Sequence, residues 1–166
     1  MGAVMKLIDA ILFIFFLIIA IAAPLLDAQT CLPSNIFPDI LVHLKTWYTH
    51  EYGDYLVSEK PHFFVGLIWL ELLFAWPLSI ASLYGIVTGK TWLHTTCLMY
   101  GVSTLTAMVA VLSELVGSGK ASEKLLKMYS PFLGFAVLAI LRGLLPHSGK
   151  SNATGTQPTL VRKKRA

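Results

Sequence analysis

The sequence predicts an all-α fold, a polytopic membrane bundle of four helices with a short lumenal loop helix, and three observations lead there. Of the 166 residues, 55% are hydrophobic and only 13% charged, about half the charge that a water-soluble domain carries. The charges gather toward the termini and between four apolar stretches. Each stretch reaches the ~20 residues a helix needs to cross roughly 30 Å of hydrocarbon. The third observation is local. Glu71 stands in the middle of the run Gly66-Leu-Ile-Trp-Leu-Glu-Leu-Leu-Phe-Ala-Trp-Pro77, where an ionised carboxylate costs roughly 3 kcal/mol on insertion scales. A chain keeps such a group by protonating it, pairing it or facing it into a polar cavity.

The first predicted helix covers about 7–28 and is nearly all Ile, Leu, Phe and Ala, with Asp9 near its start. Met5-Lys6 followed by this run also fits a cleaved signal peptide, but the run exceeds the 7–15 residues of a signal core. Lys6 stands where N-myristoylation wants Ser or Thr. The only long connection follows, Thr30 to Pro61. Within it Pro38 introduces a helix over Asp39 to Tyr52 whose apolar positions Ile40, Leu41, Leu44, Trp47 and Tyr48 recur at helical spacing. Trp and Tyr rings suit the membrane interface. The remaining helices are predicted at about 62–86, 92–117 and 125–145, and the second and third are joined by a tight turn ending at Lys90. Residues 1–146 form one four-transmembrane domain. Residues 147–166, rich in Ser, Gly, Thr and Pro with a basic end, read as a disordered cytosolic tail.

With four crossings, Lys6, Lys90, Arg142, Lys150 and the cluster Arg162 to Arg165 share one side. Lys45, Lys60, Lys120, Lys124 and Lys127 share the other. The balance favours both termini in the cytosol. The sequon at Asn152 then lies on the wrong side for glycosylation. The net charge of +4 owes much to the tail and, without an aromatic-rich basic face, implies no nucleic acid. Cys31 and Cys97 have no zinc-ligand or Cys-x-x-Cys spacing; both read as structural, and no metal or cofactor is implied.

Two acids carry the chemistry. Glu71 lies about ten residues into its helix, roughly 14 Å deep. Asp27 closes the first helix, three residues after Pro24. If that helix kinks at Pro24, the two carboxylates approach, and in a low dielectric both cannot ionise easily. Such a pair attracts a ligand cation. Trp69, Phe74 and Trp76 flank Glu71, while Pro77 frees a backbone carbonyl and bends the helix. The third helix offers Tyr100, Ser103, Thr104 and Thr106, and the fourth Tyr129, Ser130, Pro131 and Phe132. An aromatic cavity with a few polar groups suits a flat hydrophobic ligand such as a sterol, and an acid lined by rings suits an amine. The competing reading of these Ser, Thr and Tyr residues is bonding between helices.

Asp27-Ala-Gln29 with Leu32-Pro33, then Trp47-Tyr48, Glu51-Tyr52 and Asp54, closely resembles the sigma-2 receptor (transmembrane protein 97) family. So do Glu71-Leu-Leu-Phe-Ala-Trp-Pro77, Tyr100-Gly-Val-Ser-Thr-Leu-Thr106 and Tyr129-Ser-Pro131. The match spans five segments in order and leaves only the tail outside. The resemblance implies an endoplasmic reticulum protein of four retained helices, in the EXPERA superfamily that includes sterol isomerase. It implies an occluded pocket for sterols and cationic amphiphiles and a link to sterol trafficking. It assigns the amine partner to Asp27 and the hydrogen-bonding acid beside it to Glu71. Trp76, Tyr100, Thr104, Thr106, Tyr129 and Phe132 are candidate walls, with Gln29, Asp54, Pro77 and Pro131 as structural supports.

The chain departs from that pattern in ways that dry the pocket: Ala75 stands where the family can carry glutamine, Ala107 where it can carry threonine, and Phe132 where tyrosine would add a hydroxyl. Sterol isomerase looks to place a histidine four residues before its glutamate, where this chain has Leu67. The expectation is a binding protein rather than an enzyme, with a Δ8–Δ7 isomerase or a membrane adaptor for sterol transporters as alternatives. Expected partners are a sterol or cationic amphiphile, the bilayer, a sterol transporter and a second copy in a homodimer. Lys163 and Lys164, fourth and third from the C-terminus, look like a dilysine retrieval signal.

Overall fold

A computed structural model describes residues 2–145. The dilysine pair Lys163 and Lys164 and the tail 147–166 therefore lie outside the described residues. Helix α1 runs Gly2–Leu25, and short 3-10 turns follow at Asp27–Thr30 and Ser34–Ile36. Helices α2 (Asp39–Tyr52) and α3 (Tyr55–Glu59) make up the long connection. Helix α4 (His62–Leu70) passes through a π-helical turn at Glu71–Ala75 into α5 (Trp76–Thr88). Helices α6 (Leu93–Gly117) and α7 (Glu123–Leu144) complete the chain. Four stretches, Gly2–Thr30, His62–Thr88, Leu93–Gly117 and Glu123–Leu144, are long and apolar enough to cross a membrane. This is a multi-pass membrane protein. Helix α1 begins at Gly2 rather than near residue 7 and ends at Leu25, the other three membrane stretches begin and end within two residues of the predicted positions, and the short α3 is an addition.

Local chemistry explains the boundaries. Gly53 and Gly89 end α2 and α5 at positive φ, the conformation that glycine tolerates without strain. Asp54 caps α3, accepting the Leu56 and Val57 N–H groups, and Ser122 caps α7 at Leu125 N–H. The π turn lies just before Pro77. A proline there has no N–H for the Leu73 carbonyl and would crowd it. One extra residue in the turn absorbs the misfit, with Trp76 N–H reaching the Glu71 carbonyl. Pro77 thus acts through a widened turn rather than the simple bend the sequence suggests.

Helices α6 and α7 pack closest. A β-carbon at Gly101 would come within 2.8 Å of the Ala136 carbonyl oxygen, and one at Gly143 within 2.7 Å of the His94 carbonyl oxygen. Without a hydrophobic drive between helices in lipid, such small-residue contacts are a main source of association. Helix α1 lies against α5 and α7. Pro24 deprives the Ala20 carbonyl of its usual N–H partner, and the Trp76 indole fills that place at 3.0 Å. Phe15, Phe16 and Tyr100 form the core at this level, with Phe16 edge-on to Tyr100 at 4.9 Å. Outside, Leu73, Val87, Val116 and Ile14 are exposed, as lipid-facing side chains should be.

One charged pair is buried in the bundle. Arg142 of α7, 3% exposed, donates side-on through Nε and Nη2 to the two oxygens of Asp9 on α1. Its Nη1 has no partner among the described residues. The sequence reading counted Arg142 among the charges that share one side with Lys6 and Lys90; in the structure that charge is paired inside the bundle with a partner 133 residues away.

Candidate functional site

A cavity of about 380 Å³ lies between α1, α2, α4, α6 and α7, within the range of small-molecule sites. Its walls are mainly apolar, including Ile18, Ile19, Phe64, Leu67, Met108 and Val111. Asp27 lines it from the turn after α1, and Glu71 from the first residue of the π turn. Helix α1 runs through Pro24 to Leu25, and the 3-10 turn beyond it delivers Asp27. Neither carboxylate has a hydrogen-bonding side chain among the described residues, and they are not bonded to each other. The resemblance implies a mutual hydrogen bond; the structure has the two acids lining one cavity without it.

Tyr100, Thr104, Tyr129 and Phe132 also line the cavity, as do Ser103, Ala75 and Ala107. The two alanines that dry the site by comparison with the sigma-2 pattern thus stand on its wall. Other expected neighbours do not. Thr106 is exposed and turns its hydroxyl back to the Val102 carbonyl at 2.9 Å, as a helix threonine does when no polar partner faces it. Trp76 is held by Ala20 on the α1–α5 side, away from the cavity. Trp69 and Phe74 are exposed to the outside of the bundle. The aromatic lining comes instead from Phe64, Tyr100, Tyr129 and Phe132, with Trp47 and Tyr48 of α2 over one end.

Asp54 organises that end. It is fully buried, with Oδ1 accepting the backbone N–H groups of Leu56 and Val57 and Oδ2 accepting the hydroxyls of Tyr48 and Tyr129, at 3.2 and 2.8 Å. One carboxylate therefore ties α2, α3 and α7 together. Burial and the adjacent Asp54 charge push the Tyr48 phenol up, so it remains a donor across the physiological range. Gln29 bridges the same region, donating to the Leu25 carbonyl at 2.7 Å and the Leu41 carbonyl at 3.3 Å. Pro131 sits inside α7 between Tyr129 and Phe132, and Pro77 stabilises the turn that presents Glu71.

The residue that sequence reasoning missed is Lys45. It was read as a surface charge, yet it lines the cavity and donates to Thr30 Oγ1 at 3.0 Å. Its register gives it away: with Leu41 and Tyr48 four before and three after, it belongs to the apolar face of α2. Among the described residues no group of three His, Cys, Asp or Glu side chains could hold a metal ion.

A family model described as EBP: EXPERA (EXPanded EBP superfamily) matches residues 40–143. The chain belongs to the EXPERA superfamily. The match takes in Lys45, Asp54, Glu71, Tyr100 and Tyr129, while Asp27 precedes it. This EXPERA chain is 26% identical over 147 residues to Sigma intracellular receptor 2 of Macaca fascicularis, covering 79% of this chain and 84% of the relative. Over 89 residues it is 32% identical to the protein of that name from Homo sapiens, covering 53% and 51%. It is 24% identical over 154 residues to that of Xenopus tropicalis, covering 85% and 90%.

Proposed function

We propose that this EXPERA protein is a receptor-like protein of the endoplasmic reticulum membrane that binds sterols and cationic amphiphiles without transforming them. The observation that carries the reading is the facing of two carboxylates, Asp27 and Glu71, into one largely apolar cavity. Apolar walls suit a sterol body. An acid with no protein donor is a counter-charge for an amine, and its neighbour, protonated, orients it. Asp27 takes the first role and Glu71 the second. The likeness to proteins named Sigma intracellular receptor 2 supports the receptor reading. The protein acts in sterol homeostasis, together with a sterol transporter and a second copy of itself. Both termini face the cytosol, where Lys163 and Lys164 serve retrieval.

Sterol isomerisation needs one group to protonate a ring carbon and another to remove a proton. The position where that chemistry looks for a histidine is Leu67, a cavity-lining residue, and none of the four described histidines lines the cavity. Binding is the better supported role. The test is equilibrium binding of a labelled amine-bearing sterol to purified wild type, Asp27→Asn and Glu71→Gln. Each substitution lowers affinity tenfold or more while the protein stays monodisperse, and wild-type affinity falls toward pH 5 as the carboxylate takes up a proton. Undiminished affinity in both variants overturns the site.

A further inference from the structure

We infer that a second pocket, on the flank of α2 beside the acid-lined cavity, binds a phosphoryl oxyanion through Lys45 and Lys60. The inference goes beyond the sterol-site reading and stands without it. The pocket has a volume of about 410 Å³ and shares only Lys45 and Val57 with the cavity. One wall is a single face of α2, where Val42, Lys45, Thr46 and Thr49 follow the i, i+3, i+4, i+7 spacing that aligns helical side chains. The other wall is Gln29 and Ser34 from the turns after α1, with Ser58 and Lys60 at the end of α3. No aspartate or glutamate among the described residues lines it.

Three observations carry it. The first is unpaired charge. Of the five lysines that the charge pattern puts on one side of the bundle, Lys120 pairs with Glu59, Lys124 with Glu51 and Lys127 with Glu123. Lys45 and Lys60 have no carboxylate within 4.0 Å among the described residues, and both line this pocket. They are close enough to oppose each other: burial first, and then repulsion by Lys60, push Lys45 down to about 8. The second is unspent donors. Thr46, Thr49 and Ser58 give their hydroxyl protons to the Val42, Lys45 and Tyr55 carbonyls, and the Gln29 amide donates to Leu25 and Leu41. Lys45 uses one N–H on Thr30 Oγ1, and Lys60 makes no side-chain hydrogen bond among the described residues. The donors left to the pocket are therefore mainly ammonium N–H groups. The third is backbone conformation. Lys60 ends α3 at φ 50° and ψ 57°, alone among the described non-glycine residues in having positive φ. Glycine does this for α2 and α5 without strain, and a residue before proline favours extended backbone. Such strain gathers at ligand-holding positions, where the side chain is needed. A phosphate monoester, with close to two negative charges and three strong acceptor oxygens, balances both lysines at once, whereas a carboxylate brings one charge.

The test is calorimetric titration of the full chain, in an uncharged maltoside detergent at pH 7 and low salt. The probes are glycerol 3-phosphate and a short-chain phosphatidic acid, which carry the same monoester on a soluble body and on a lipid. Wild type binds saturably. Lys45→Met and Lys60→Gly each weaken binding about fivefold or more, and Lys60→Arg stays within threefold of wild type. Lys127→Met, which removes a cation outside the pocket, leaves affinity unchanged. Lys60→Gly also keeps the wild-type melting temperature, because glycine accepts the left-handed conformation, so its loss of binding is not a loss of fold. Affinity in Lys60→Gly within twofold of wild type overturns the inference. So does an equal loss in Lys127→Met, the mark of general surface attraction, and so does the absence of saturable binding of both probes to wild type. Phosphatidic acid at least threefold tighter than glycerol 3-phosphate assigns a lipid headgroup to the pocket, and a smaller difference assigns a soluble phosphate ester.

Discussion

The N-terminal part of α1 and its C-terminal end handle charge in opposite ways. Asp9 meets Arg142 in a buried, two-point ion pair, set among close helix contacts around Gly101 and Gly143. Roughly 27 Å further along, at 1.5 Å per residue, Asp27 faces a cavity with Glu71 and Lys45, and none of the three contacts an opposite charge. Paired ions at one end are scaffold: their electrostatics are spent on holding α1 to α7. Ions left apart around a void are available to something else. Asp54 refines the contrast, because it lies in the cavity half yet has four donors and so belongs with the scaffold.

The largest effect should come from breaking the buried pair. Arg142→Met leaves Asp9 uncompensated and is expected to cost about 3–5 kcal/mol, read as a large fall in melting temperature in detergent. Adding Asp9→Leu restores most of that loss, since a buried ion pair can often be replaced by apolar side chains. A double variant no better than the single one would remove the pair from the scaffold.

Next is Asp54→Ala, expected to cost about 3 kcal/mol. About one comes from the lost α3 cap, and about one from each orphaned hydroxyl of Tyr48 and Tyr129. Asp27→Asn, in the same half of the molecule, leaves the melting temperature within a degree or two or raises it, because it removes a charge that lacks a partner. Equal losses in the two variants would erase the distinction between scaffold acid and site acid. The smallest effect is steric. Gly101→Ala drives a methyl into the α7 backbone and costs about 1–3 kcal/mol, whereas Gly134→Ala, with no atom within 4 Å of the new carbon, is neutral or better. Parity between these two would show that the α6–α7 contact has slack.

By itself, the sequence determined the four membrane helices, the loop helix over Asp39–Tyr52 and the two acids worth watching. Bilayer thickness dictates the length of each apolar run, backbone satisfaction in lipid dictates that each run is helical, and a carboxylate at depth is conspicuous wherever it points. Only the tertiary structure decided which face each helix turns inward. Lipid is as apolar as the bundle core, so a pattern of Leu, Phe and Trp does not distinguish inside from outside. That is why Trp69, Phe74 and Thr106 lie away from the cavity while Leu67 and Ala107 line it. The partnership of Asp9 with Arg142, and the entry of Lys45 into the acid-lined cavity, depend on contacts between segments far apart in the chain. No local periodicity encodes them. The packing of α1 against α7, and of α2 over the open end, created both.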